Sequence, residues 1–149
     1  MYDARMETHS LLEFGAEAAR FAQSLSPRAG EATVVALSGD VGAGKTTFVQ
    51  VAADALGVRE IVASPTFVIM QKYELPQGPF VRLIHIDAYR LKETRELEVL
   101  GWRELIADPG NLVFIEWPEQ VPGALPSSCR KVTLSGDGDM RRITYDPES

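Results

Sequence analysis

The sequence predicts an α/β fold: a small mixed sheet flanked by helices and finished by a C-terminal β-hairpin. Three features carry this expectation. The apolar run Thr33-Val34-Val35-Ala36-Leu37 leads directly into glycines and then into a helical pattern. Two later apolar runs, Leu83-Ile84-His85-Ile86-Asp87 and Leu112-Val113-Phe114-Ile115-Glu116, each end on a carboxylate. The tail alternates through Val132 and Leu134, turns at Gly136-Asp137-Gly138-Asp139 and resumes with Ile143 and Tyr145, the period-two signature of a hairpin.

Taken in order, Leu11, Phe14, Ala18, Phe21, Ala22 and Leu25 recur at helical spacing, Ser10 and Glu13 form a capping box, and the helix ends before Pro27. Thr33–Leu37 suits a strand buried on both faces. Thr46 to Leu56 reads as a helix closed by Gly57, since a left-handed C-terminal residue is easiest for glycine. Phe67–Tyr73 and Phe80–Ile86 are strands joined by Pro76-Gln77-Gly78-Pro79 as an antiparallel pair. Arg95–Ile106 is a short helical stretch interrupted near Gly101, followed by the turn Asp108-Pro109-Gly110-Asn111 and the buried strand Leu112–Ile115. The leading Met1–Met6 reads as a loose extension or an upstream start.

A chain of 149 residues with 45% hydrophobic and 24% charged residues is expected to form one domain over residues 1–149, burying roughly two thirds of its unfolded surface. Acidic residues outnumber basic ones 21 to 15, for a net charge of −6, which disfavours autonomous gripping of a nucleic-acid backbone. The single Cys129 cannot form an internal disulfide and has no metal-ligand spacing with His9 or His85; it reads as a buried or bystander thiol. Met1–Ser10 carries Asp3, Arg5, Glu7 and His9 in place of an apolar leader, and no run approaches the ~18 apolar residues of a membrane span. A cytoplasmic protein with no membrane partner is expected.

Gly39-Asp40-Val41-Gly42-Ala43-Gly44-Lys45-Thr46 matches G-x-x-x-x-G-K-[ST] at every fixed position. Phosphates need several converging backbone N–H donors; glycines allow the turn and the close approach, and the following helix adds the positive end of its dipole. A chance match has a probability on the order of 1 in 200, with glycine at ~7% of residues. The strand before and helix after the loop are the context the motif requires. The sequence therefore predicts a P-loop NTPase fold. Val41, Gly42, Ala43 and Gly44 would cradle phosphates with Lys45, and the Thr46 hydroxyl would hold Mg²⁺.

Asp87 and Glu116 stand where such proteins place the acid that helps hold Mg²⁺ or its water. The residues alone do not say which is nearer the metal, and either could instead cap a helix or face solvent. Ser64-Pro65-Thr66-Phe67 could sense a γ-phosphate or simply lead into a strand. Trp117 packs beside the site or fills the core, and His85 reads as a satisfied strand histidine. No N-K-x-D motif follows to read guanine, so adenine is the better expectation.

Together, GDVGAGKTTF at Gly39–Phe48, SPTF at Ser64–Phe67, HIDAYRL at His85–Leu91 and IEWPE at Ile115–Glu119 closely resemble the TsaE (YjeE) family. The ELEVLGW stretch at Glu96–Trp102 also fits, and the resemblance runs from roughly Ser10 to Pro126. It implies a small ATPase that acts with the TsaD and TsaB proteins in installing threonylcarbamoyl on adenosine 37 of tRNAs reading ANN codons, meeting tRNA only through the complex. It further implies ATP and Mg²⁺ as cofactors. Lys45 and Thr46 would bind phosphate and metal, Glu116 would be a second metal-site acid and Asp87 would be needed for hydrolysis. Thr47 and Trp117 are implied as supporting nucleotide contacts, with Glu7, Thr8 and Gly138 as adenine-pocket candidates. The rivals are a small-molecule P-loop kinase, with Arg90 and Arg95 as lid arginines, and a nucleotide-dependent binding module with negligible turnover.

Overall fold

The computed structural model describes residues 5–40, 42–60, 69–137 and 139–146. At its centre lies β2 (Thr33–Ser38), flanked on one side by β5 (Asn111–Glu116) and on the other by β6 (Arg130–Asp137). Both neighbours run parallel to it, and β4 (Arg82–Asp87) continues the parallel set beyond β5. Antiparallel strands finish both edges: β3 (Met70–Glu74) outside β4, then β7 (Met140–Tyr145) and β1 (Arg5–Thr8) outside β6. The seven-stranded order is β1-β7-β6-β2-β5-β4-β3.

The continuous apolar strands are continuous because the sheet is covered on both faces. Val35 and Leu37 of β2 join a core with Phe14, Phe21 and Phe48 from α1 (Leu11–Gln23) and α2 (Lys45–Ala55). Val34 and Ala36 point the other way, into a second core with Leu97 and Trp102 from α3 (Arg95–Val99) and α4 (Trp102–Ile106). Aromatic rings knit the first core, Phe14 meeting Phe48 edge-on at 6.0 Å and Phe21 stacking on Tyr145 at 5.1 Å between centroids. In the second, the Trp102 indole N–H donates to the Ala124 carbonyl at 3.0 Å, so its one polar atom is satisfied on burial.

Most local expectations hold. Ser10 caps α1 by accepting from the Glu13 N–H at 3.1 Å, while the Glu13 carboxylate accepts from His9 N–H at 2.8 Å, one residue outside the reciprocal partner of an ordinary capping box. Gly57 sits at φ 99° after α2, and Val58 N–H closes back on Ala53 O at 3.0 Å, a glycine-dependent helix stop. Gly101, at φ 86°, divides the 95–106 stretch into two helices. The β3–β4 pair is antiparallel, although Phe67 and Val68, expected at its start, lie outside the described residues, as does the Ser64–Phe67 loop. The tail forms its hairpin as β6 and β7, and Cys129 is buried, its thiol pushed up to about 11 by burial.

One expectation fails. Arg5 and Met6 are no loose extension: they open β1, paired across to Thr144 and Ile143 of β7. Three of the four β1 residues are exposed, so the strand has no apolar alternation of its own and owes its existence to the backbone edge that β7 offers.

Where β7 meets α1, the Tyr145 hydroxyl donates to the Glu17 carboxylate, which also accepts from Arg20 at 2.8 Å and 2.6 Å. Burial pushes the Glu17 carboxyl up, but the hydrogen bonds from Arg20 and Tyr145 outweigh it and leave it lowered from its ordinary 4.5. Burial, then the hydrogen bond to Glu17 and its charge, pushes the Tyr145 phenol up. A carboxyl lowered by folding adds stability that is complete above its ordinary value and is lost as pH falls through its folded one. Thermal unfolding followed between neutral and acid pH should show Glu17→Gln melting below the wild type at pH ~7, with the gap narrowing under pH ~4 as the wild-type carboxylate protonates.

Candidate functional site

β2 ends at Ser38, and the chain turns through glycines into α2 at Lys45. Gly39 is required by proximity: a Cβ there would sit 2.5 Å from the Leu134 carbonyl oxygen of β6. Gly44 is required by conformation, holding φ 103° at the N-cap of α2. No side chain caps that helix, which leaves the positive end of α2 facing the loop. Within the loop, Ala43 N–H donates to Asp40 O at 3.0 Å and its side chain is buried in the core, so Ala43 shapes the turn.

Lys45 folds back over this turn. Its ammonium donates to the Gly39 carbonyl and, at 3.0 Å, to that of Asp40, and it lies 4.2 Å from the centre of the Trp117 ring. The side chain is 5% exposed, and burial pulls its pKa down, opposed chiefly by the charge of Glu116. Trp117 is held for this contact at a cost. Among the described residues it is the one non-glycine residue in the left-handed region, at φ 59°, a conformation that concentrates at functional sites. Its ring also packs against Tyr89, centroids 5.0 Å apart.

The two strand-end acids meet because β4 and β5 are parallel and in register, Asp87 beside Glu116. Glu116 is 3% exposed. Both its oxygens lie 3.1 Å from the Thr46 hydroxyl, and Oε2 is 2.6 Å from His85 Nε2. Asp87 accepts from the Tyr89 N–H at 3.0 Å. Burial raises the Asp87 carboxyl, and the neighbouring Glu116 charge raises it further, against the Tyr89 hydrogen bond.

A cleft of about 550 Å³ opens above this cluster, lined by Gly42, Gly44, Lys45, Thr46, Thr47, Asp87, Glu116 and Trp117. Tyr89 and Arg141, neither of them among the expected site residues, also line it. Tyr89 lay in plain view inside HIDAYRL, whereas Arg141 arrives through the pairing of β7 with β6 and has no local signature. Glu7 stays away from the cleft, ion-paired with Arg142 at 2.9 Å on the outer strands. Thr8 is buried, its hydroxyl unpartnered among the described residues, and is not part of the lining. Val41 and Gly138 lie outside the described residues. His85 corrects its expectation: it is fully buried, but only Nε2 is bonded, and Nδ1 has no partner among the described residues.

Fold and site together define a mixed α/β protein in which a central strand, a glycine loop and a helix face two strand-end carboxylates. The family described as threonylcarbamoyl adenosine biosynthesis protein TsaE matches residues 12–144, and the chain belongs to it. It is similar to the tRNA threonylcarbamoyladenosine biosynthesis protein TsaE of Bacillus subtilis (strain 168), 38% identical over 113 residues covering 75% of this chain and 68% of that protein. The Rickettsia bellii protein of the same name is 32% identical over 139 residues, 93% of each chain. That of Haemophilus influenzae is 34% identical over 134 residues, 90% of this chain and 81% of its own. The crystal structure of Bacillus subtilis YdiB superposes with a TM-score of 0.73 at 31% identity, covering 95% of this chain and 82% of that one. Among the described residues no helix is long and apolar enough to cross a membrane.

The raised Asp87 carboxyl has a stability consequence. An acid raised by folding costs nothing while protonated and opposes folding as pH climbs past its ordinary 3.8. Asp87→Asn keeps the oxygen that accepts from Tyr89 and removes the charge beside Glu116. Its thermal midpoint, without nucleotide, should exceed that of the wild type at neutral pH, and the two should converge in acid.

Proposed function

We propose that the cleft binds and hydrolyses ATP with Mg²⁺ in a P-loop NTPase domain spanning residues 1–149. This activity supports threonylcarbamoyladenosine modification of adenosine 37 in tRNAs reading ANN codons, in concert with TsaD and TsaB. The observation that carries the reading is the convergence of Lys45 and Thr46 at the start of α2 with Asp87 and Glu116 at the ends of β4 and β5. The donors suit the metal: one hydroxyl and one carboxylate match Mg²⁺, which keeps waters and takes its remaining ligands from substrate phosphates. Consistently, the described residues hold no cluster of three or more His, Cys, Asp or Glu of the kind an all-protein metal cage would use.

When bound, Mg²⁺ supplies charge neutralisation at the β and γ phosphates. The chain's own residues do the rest. Gly42 and Gly44 let the backbone approach the phosphates, and the uncapped end of α2 attracts their charge. Lys45 supplies N–H donors, and Arg141 adds positive charge from β7. Thr46 and Glu116 would hold the metal through a hydroxyl and a carboxylate oxygen. Asp87, its carboxyl raised above the ordinary value by burial, orients the attacking water and accepts its proton at a carboxylate oxygen. Trp117 and Tyr89 wall the cleft beside Lys45 and keep bulk water from that side. The net charge of −6 fits a cytoplasmic protein that meets tRNA through its partners.

Phosphate release from Mg-ATP, with and without TsaD and TsaB, tests the reading. Lys45→Ala should abolish nucleotide binding. Asp87→Ala should bind nucleotide yet turn over about 10²–10⁴-fold more slowly. Transfer of phosphate to a metabolite would establish a kinase instead, and tRNA modification that survives both Asp87→Ala and Glu116→Ala would reduce the site to a binding switch.

A further inference from the structure

We infer that His85 is a positioning residue that fixes the Glu116 carboxylate for the metal; the inference rests on the Mg-nucleotide reading of the cleft. His85 sits within β4 two residues before Asp87, so both side chains share the sheet face that carries Glu116, His85 pairing with Phe114 and Asp87 with Glu116. It lies beneath the cleft without lining it, and none of its surface is exposed.

Its single polar contact among the described residues is the 2.6 Å bond from Nε2 to Glu116 Oε2, since Nδ1 has no partner there. A buried ring with one nitrogen unpaired does not tie two parts of the core together. Leucine or phenylalanine would fill the same slot, on the face of β4 that carries Leu83, without stranding the Nδ1 acceptor. What histidine alone supplies is a donor to Glu116: facing a carboxylate, the proton is assigned to Nε2.

That bond divides the work of the two carboxylate oxygens. Oε2 accepts from His85 as well as from Thr46, whereas Oε1 has the Thr46 hydroxyl alone among the described residues. With Oε2 anchored from below by His85, the carboxylate is oriented before any metal arrives, and Oε1 is the oxygen left free of the histidine, both oxygens standing 3.1 Å from the Thr46 hydroxyl. Outer groups that orient a ligand in this way commonly change metal affinity by 10–100-fold when removed.

The test is a Mg²⁺ titration of the purified protein with a fluorescent ATP analogue, comparing His85→Leu, His85→Asn and His85→Gln. Glutamine places an amide N–H near the position of Nε2; asparagine reaches only as far as Nδ1. The leucine and asparagine variants should need about 10-fold more Mg²⁺ or beyond for half-saturation, while glutamine stays close to wild type. Nucleotide binding in EDTA should be the same in every folded variant as in the wild type, and turnover in the leucine variant should recover at saturating Mg²⁺. Wild-type Mg²⁺ dependence in His85→Leu, or equal loss with and without Mg²⁺, overturns the inference. If the leucine variant does not fold, asparagine and glutamine decide alone, and equal behaviour of the two overturns it. A wild-type protein that binds no nucleotide overturns the reading of the cleft and this inference with it.

Discussion

Everything at the cleft depends on the parallel register of β2, β5 and β4. Leu37, the last core residue of β2, pairs with Glu116, and Glu116 pairs with Asp87. These two pairings bring the glycine loop, the start of α2 and both acids to the same end of the sheet. The side-chain period of a strand is two, so a slip of one residue in β5 would turn Glu116 toward the α3–α4 face and away from Thr46. The apolar residues of β5 are covered on both faces, so a slip would press the Glu116 carboxylate into the apolar core under α3 and α4. The two cores thus do more than stabilise. They index the carboxylates.

The site so indexed runs against the stability of the fold. Lys45 is buried and its charged form disfavoured, Asp87 carries a raised carboxyl, and Trp117 occupies a left-handed backbone conformation. Each would be relieved by a blander residue. They persist because the surrounding sheet and its aromatic packing over-determine their positions, and because each tension favours a contact the cleft uses. The disfavoured ammonium is drawn to loop carbonyls and an indole face, and the raised carboxyl sits nearer to accepting a proton.

What could be read from the sequence was whatever is encoded locally. The glycine loop announces itself because Gly39 and Gly44 answer to backbone demands that few other residues meet, and the acids announce themselves by ending apolar runs. Gly57 and Gly101 marked helix boundaries for the same reason. What could not be read came from distant pairing. β1 has no apolar periodicity, and its place beside β7 follows from register across 135 residues, as the Glu7–Arg142 contact shows. Arg141 enters the cleft by the same route. His85 looked like one more strand residue, since its bond to Glu116 spans 31 positions and adjacent strands.

The outer edge of the sheet has a consequence for how the protein is made. β1 precedes the other described strands but pairs with β7, and Gly39 packs against the Leu134 carbonyl of β6. A chain emerging from the ribosome therefore carries a loop whose back wall and whose Arg141 are supplied by the later strands β6 and β7. Such long-range closure slows folding and leaves the open side of β2 bare during translation, with unpaired backbone on view. The cleft is therefore complete only once β6 and β7 have paired beside β2.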